Sequence, residues 1–394
     1  MIKIRLTGKA SYFQLRDDYL KRISKYINFD ISDIVSGLKS DNSKKTKDTA
    51  NTLKNDFPKL YEYLFYEDSE TVNRDNLRYL LIGPDNMPQS FGGHEKTKTM
   101  RECLAEIAER CPLPQEEDAR NKAIKCCKDI FKYQNFVANK DDAYWLLRTL
   151  DIRVCPYCNR IYTVTLPTKE ELEKNEMFRA TRATFDHFYS QDKFPYLALS
   201  LFNLVPSCYA CNLNKTNSQE EIVYPYDEEF GKDAVFRLIP AMSEKENSQC
   251  GIPLNYLHGE SDAFHIKFVG KKGSNLQENL SLQERLIGIE DEKLRERIQD
   301  SIQVFNLEEL YKEHKMEIKD ILKSRYLFNM DYVRTQICPL IQQTMEKKGE
   351  KNVDQDTLEL MAMEMIFFTR MKLEGWGKRP LSKLISDIIE QVTF

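Results

Sequence analysis

Cys155-Pro156-Tyr157-Cys158, Asp186-His187-Phe188 and Asn203-Leu204-Val205-Pro206-Ser207-Cys208-Tyr209-Ala210-Cys211-Asn212-Leu213-Asn214-Lys215 form the stretch around which the chain is organised. Four cysteines in two close pairs match the ligand set of a closed tetrahedral structural zinc site. Each tight turn supplies two thiolates, and two such turns complete four-coordination while clamping segments distant in sequence. A site of this kind stabilises a subdomain that lacks a large core of its own. The other six cysteines, Cys103, Cys111, Cys126, Cys127, Cys250 and Cys338, show no such pairing.

The rival reading of Cys155-Pro156-Tyr157-Cys158 is a dithiol redox centre, because the same four letters occur in glutaredoxin active sites. That chemistry needs a helix after the first cysteine to lower its pKa. Here residues 161–166, Ile-Tyr-Thr-Val-Thr-Leu, are β-branched and aromatic and read as a strand. With a second Cys-x-x-Cys in the chain, zinc is the better account. A second strand is expected at residues 179–185, paired with 161–166 across the charged insertion 169–176, so that a hairpin delivers Asp186-His187 at its end. Residues 196–202 are apolar enough to pack, and Asn212 to Lys215 begin a short helix.

As a set, these residues resemble the HNH, or ββα-metal, endonuclease superfamily in its zinc-knuckle form: Cys-x-x-Cys, Asp-His, Asn-Leu, then Cys-x-x-Cys-Asn-x-x-Lys. The resemblance implies an α-rich α+β protein with a central ββα-metal module and a four-cysteine zinc site at Cys155, Cys158, Cys208 and Cys211. It gives His187 the role of general base, Asp186 and Asn212 those of ligands to a catalytic Mg2+ or Mn2+, and Asn203 that of orienting the loop that carries the histidine. The third motif position is Asn212 rather than histidine, which disfavours a softer metal. Asn214 is a second candidate for that ligand, and Lys215 is a candidate phosphate contact.

The chemistry asks for such a set on its own terms. Hydrolysing a phosphodiester takes a base to deprotonate water and a divalent cation to neutralise charge on the scissile phosphate. Neutral imidazole has the right pKa range for the first task, and Asp186 with Asn212 offers oxygens to a hard cation. Neighbours on an ideal strand point to opposite sides, so Asp186 and His187 belong at a strand end. The plainer alternatives are a hairpin cap for Asp186, a satisfied core histidine for His187, a turn residue for Asn203 and a solvated helix side chain for Lys215.

Outward from this stretch, 394 residues suffice for two or three domains. We divide the chain into a helical region 1–150, a nuclease module 151–270 with a small sheet extending it, and a helical region 271–394. In the first, Tyr12, Leu15, Tyr19, Leu20, Ile23 and Ile27 recur at helical spacing, as do Leu53, Phe57, Leu60, Tyr61, Leu64 and Phe65. Residues 39–48 read as a solvated loop, 97–110 and 119–136 as helices, and His94 lies in a Gly-rich turn. A helix at 141–150 buries Ala143, Leu146, Leu147 and Leu150, with Tyr144 and Trp145 expected to pack on the first knuckle. Residues 234–239 and 264–269 suit strands. Further on, Leu307, Leu310, Tyr311, His314, Ile318, Ile321 and Leu322 form one helical face. A Met-rich helix at 358–373 reads as core or as a docking surface for a partner, and a last helix is expected at 382–392.

The net charge is −4. A protein that reads long duplex DNA alone usually shows a basic face, so phosphate contact has to rest on local patches or on a partner. No apolar run is long enough for a membrane span and the first residues lack a signal-peptide core, so the expectation is a cytoplasmic protein with no membrane contact, where thiols stay available for zinc. The large helical flanks resemble those of HNH subunits from bacterial anti-phage systems of the Septu type. That resemblance implies a defence effector acting on nucleic acid, DNA ahead of RNA, beside an ATPase partner subunit. The alternative is a non-catalytic zinc-knuckle module that binds nucleic acid or protein.

Overall fold

The computed structural model of the chain describes residues 1–5, 12–29, 44–66, 71–88, 91–93, 97–165, 182–215, 220–241, 258–271, 279–349, 353–367, 372 and 375–393. His94, Cys250 and the insertion 169–176 lie outside them.

The N-terminal part is helical, as its apolar periodicity dictates. Helix α1 (Tyr12–Ile23) buries Leu15, Tyr19, Leu20 and Ile23. It is followed by α2 (Lys44–Asp56), α3 (Pro58–Leu64), α4 (Arg74–Ile82), α5 (Met100–Arg110), α6 (Glu117–Ile130), α7 (Tyr133–Ala138) and α8 (Lys140–Leu150). Three expectations need correction here. Lys44 to Asp48, read as loop, form the first turns of α2, where Thr46 and Thr49 are buried. The helix expected from 97 starts at Met100, because Thr99 caps it in a capping box with Glu102. The helix expected over 119–136 is two helices, α6 and α7, because the chain leaves helical geometry at Phe131 and Lys132. Ala143, Leu146, Leu147 and Leu150 are buried as expected, while Arg22 lies over the Trp145 ring and Arg182 over Tyr144.

Strand β1 (Thr184–His187) pairs antiparallel with β2 (Leu204–Ser207), with Asp186 opposite Val205 and His187 opposite Leu204. Helix α9 (Tyr209–Lys215) follows at once and packs on β1. The partner expected for β1 was residues 161–166. Instead, residues 161–163 fold back on 153–155: Cys155 N donates to the Ile161 carbonyl at 3.0 Å, Thr163 N donates to the Arg153 carbonyl at 2.8 Å, and Val154 bridges Tyr162. The β-branched run therefore closes the first cysteine turn and leaves β1 to a strand beyond it.

Strands β3 (Ala234–Pro240) and β4 (Phe264–Gly270) form a second antiparallel pair. This sheet is separate from β1–β2 and does not extend it. The helix Ser382–Thr393 packs across β3.

The C-terminal part comprises α10 (Leu282–Arg285), α11 (Glu292–Val304), α12 (Leu307–Lys312), α13 (Lys315–Leu327), α14 (Cys338–Lys347), α15 (Gln355–Ile366) and α16 (Ser382–Thr393). His314 stands at the break between α12 and α13 rather than inside one helix. Its ring accepts from Arg160 Nε at 2.8 Å and faces Glu317 at 3.0 Å. One continuous apolar core takes residues from all three parts of the chain, Leu15, Tyr196 and Ile388 among them. A smaller cluster gathers Val333, Cys338, Ile341, Leu358 and Ala362, so part of the Met-rich α15 is buried. Among the described residues no helix is long and apolar enough to cross a membrane.

Candidate metal centre and active-site cleft

Cys155, Cys158, Cys208 and Cys211 come together, all buried, with their sulfur atoms within 4.8 Å of one another. Cys158 Sγ and Cys208 Sγ are 4.0 Å apart. Thiolates about 2.3 Å from a tetrahedral zinc would stand about 3.8 Å apart, so the cluster has the size of such a site. Burial pushes the Cys155 thiol well above its ordinary value, and hydrogen bonding to the three neighbouring sulfurs drives Cys211 the same way. Four thiolates could not share this space without a cation, and a metal ion such as zinc fits the donor set. The remaining described cysteines are free and buried.

The first cysteine turn owes its shape to Asn159, which holds a left-handed φ of 52° directly after Cys158. An asparagine tolerates that region better than most residues. Its side chain is fully buried and used at both ends: Nδ2 donates to the Trp376 carbonyl at 3.0 Å, and Oδ1 accepts from Lys383 N at 3.0 Å. Its carbonyl accepts from Leu381 N at 2.6 Å. On the opposite side of the turn, Pro156 O accepts from Ile2 N at 2.9 Å. The start of α16 and Ile2 thus both lean on this turn.

The cysteine turn also reaches the Asp-His pair. Tyr157, the second of the two residues between the cysteines, stacks on Phe305 at 4.6 Å and donates its hydroxyl to Asp186 Oδ2 at 2.5 Å. Asp186 is buried. Its carboxylate faces a second group, the ammonium of Lys215, at 3.2 Å from Oδ1 and 3.1 Å from Oδ2. Lys215 in turn donates to the carbonyls of His187 at 2.6 Å and Phe188 at 2.9 Å. The lysine read as a phosphate contact is therefore directed inward.

His187 closes β1 and is partly exposed. Its Nε2 lies 3.1 Å from the Ala198 carbonyl oxygen, with the Gln191 amide nitrogen 3.2 Å from the same atom. The Ala198 carbonyl can only accept from Nε2 and the Gln191 amide nitrogen can only donate to it; the shorter contact, to Ala198, favours the proton on Nε2 and leaves Nδ1 as the acceptor nitrogen. The Tyr133 ring meets the imidazole edge-on at 4.4 Å. Burial pushes the pKa of His187 down to about 4, against the opposing influence of the Ala198 carbonyl, so the ring is neutral at physiological pH.

Asn203 is fully buried and fixes the chain after the histidine. Its Oδ1 accepts from Tyr189 N at 2.7 Å, and its Nδ2 donates to the carbonyls of Tyr189 and Leu197, each at 3.1 Å. Asn212, in the second turn of α9, donates to the Phe185 carbonyl at 3.5 Å.

Asp186, His187, Asn212 and Lys215 line one cleft of about 430 Å3 together with Arg101 and Gln191. Arg101 is held over the Phe188 ring and donates to the Ile222 carbonyl at 2.9 Å. Its helix end is fixed by Asp227, which accepts from the backbone N–H groups of Met100 and Arg101. Tyr157, Tyr133, Gln191 and Arg101 escaped the reading of the sequence. Only Tyr157 carried a signal there, as a large residue inside a Cys-x-x-Cys turn. No family model, curated protein or solved structure matches the chain.

Proposed function

We propose that this chain is a metal-dependent endonuclease of the HNH type, in which His187 deprotonates the water that attacks a phosphodiester. The observation that carries the reading is the state of His187: burial keeps the ring neutral, and the Ala198 carbonyl holds the proton on Nε2, which leaves Nδ1 to accept one. The order β1, β2, α9 with a four-cysteine cluster beside it supports the same reading. Tyr157 orients Asp186, and Asn203 anchors the loop that follows the histidine.

Zinc at the four cysteines would be structural. Asp186 and Asn212 would hold Mg2+ or Mn2+, which when bound neutralises charge on the scissile phosphate and leaving oxygen. A carboxylate has about four lone-pair positions, so Asp186 has capacity beyond Tyr157 and Lys215, but any such cation would share it with the lysine. The proposed substrate is nucleic acid, DNA ahead of RNA. A place in anti-phage defence beside an ATPase subunit rests on the resemblance of the helical flanks.

A second reading, a non-catalytic zinc-knuckle binding module, draws on the Lys215 ammonium that already neutralises Asp186. Plasmid nicking with Mg2+ or Mn2+ separates the two. The nuclease reading expects the chain to nick and His187→Ala to be inert with its zinc content intact. If purified wild type and His187→Ala nicked at the same background rate, the binding module would take its place.

A further inference from the structure

Lys122, Lys125 and Lys128 follow one another at three-residue intervals along α6, and Lys132 continues the row just beyond its end. All four are exposed. Residues three apart are neighbours on a helix surface, so Lys122 adjoins Lys125 and Lys125 adjoins Lys128, while Lys128 and Lys132 share the wall of one cavity. Among the described residues none of the four forms a salt bridge, whereas other exposed lysines of the same chain are paired: Lys59 with Glu62, Lys98 with Glu106, Lys312 with Glu309. Like charges at this spacing repel one another, and a polyanion lying along them would relieve that repulsion.

The strip ends in a groove. Lys128, Lys132, Tyr133, Gln134 and Asn135 line a second cavity of about 470 Å3, in which Asp129 is the one acidic residue among the described lining. Gln191 lines this cavity and the cleft at Asp186 alike. His187 stands where the two meet, since its ring touches Tyr133 and its Nε2 faces Ala198, both on the wall of the second cavity.

We infer that Lys122, Lys125, Lys128 and Lys132 are the track for the phosphate backbone of a nucleic-acid strand whose scissile phosphate sits at His187. This rests on the nuclease reading. It also supplies what a chain of net charge −4 needs in order to hold a polyanion, a local basic strip in place of a basic face. Gln134 and Asn135 offer exposed amides to sugars and base edges along the groove.

The test uses the full chain carrying His187→Ala, so that binding is read without cleavage. Its probes are fluorescein-labelled strands of about 30 nucleotides, single-stranded DNA, single-stranded RNA and duplex DNA, titrated over a range of salt. Two triple variants are compared with it: K125E/K128E/K132E and its milder counterpart K125Q/K128Q/K132Q. Each phosphate contact contributes about 0.7 to 0.9 to the slope of log affinity against log salt. The glutamine variant should therefore lose about 2 to 3 from that slope, and the glutamate variant should bind more than about tenfold more weakly at about 100 mM salt. With His187 restored, hydrolysis of bis(p-nitrophenyl) phosphate, too short to reach the strip, should be the same in the variants and the wild type.

Unchanged slope and affinity in both variants, with the small diester still hydrolysed, would overturn the track and leave the nuclease reading standing; the strip would then face an acidic protein. Lysine-dependent binding without hydrolysis of any diester would keep the track and sink the nuclease reading. Neither binding nor hydrolysis would remove both.

Discussion

The Lys215 ammonium lies 3.1 Å from Asp186 Oδ2, in an ion pair whose side chains are only 9% and 5% exposed, and the same nitrogen holds the backbone carbonyls of His187 and Phe188. One side chain at the end of α9 thus neutralises the candidate metal ligand and fastens the end of β1. Removing one member of a buried pair leaves the other charge uncompensated, at a cost of about 3–5 kcal/mol. Lys215→Gln should therefore destabilise the fold by roughly this amount, and adding Asp186→Asn should recover about half or more of it. Urea denaturation of the two single variants and the double variant measures the coupling; simple additivity would show that the pair does not act as a unit.

Removal of the metal should be the most damaging single change. Zinc content by mass spectrometry is expected at one ion per chain, and a strong chelator or Cys158→Ser or Cys211→Ser should lower the melting temperature sharply, because binding free energy at such a site is folding free energy. Full zinc and an unchanged melting point in both serine variants would contradict a four-cysteine site.

The depressed pKa of His187 sets two pH dependences. Activity that needs the neutral ring should fall only near pH 4, rather than near the ordinary histidine value. For stability, the unfolded chain takes up a proton at this residue between about pH 6.5 and 4 while the folded chain does not. The folded state therefore loses stability as pH falls through that window, and the loss levels off below about 4. In His187→Gln this part of the slope should vanish from a pH series of urea midpoints.

Tyr157→Phe keeps the ring on Phe305 and removes only the hydroxyl bond to Asp186. We expect zinc content and fold to survive while cleavage drops about tenfold, as for other groups that orient a ligand without touching the metal. A wild-type rate in this variant would mean that the cysteine turn and the Asp-His pair are neighbours without being coupled.

Asn203→Ala removes three hydrogen bonds from a fully buried position and strands the Tyr189 and Leu197 backbone groups. The expected cost is about 2–3 kcal/mol, together with lost activity, because the loop after His187 loses its anchor. Chemical denaturation and the nicking assay read the two effects separately.

The parts of this architecture legible in the sequence were those set by local spacing. Two Cys-x-x-Cys turns announce a shared ligand set wherever the chain takes them, and the apolar faces of α1 and α8 follow from their periodicity. What could not be read depended on choices made between distant segments. Residues 161–166 have the composition of a strand, yet their hydrogen bonds return to Arg153 and Cys155, so β1 takes β2 as its partner. The position of Lys215 is evident from the motif spacing, but whether its ammonium meets solvent or a carboxylate is decided by Asp186 on β1, against which α9 packs. His314 fits an apolar face by periodicity, although the helix breaks there.

The contacts of Asn159 carry an implication for the order of events during synthesis. All four cysteines leave the ribosome long before Leu381 and Lys383, the residues whose amides complete the bonds of Asn159. A nascent chain can thus gather its thiols around a metal while the turn that carries Cys158 still has water in place of its final partners. Helix α16 seals that turn only once residues 381 to 383 are in place, so a ribosome stalled before residue 381 would hold the cysteine turn unlatched.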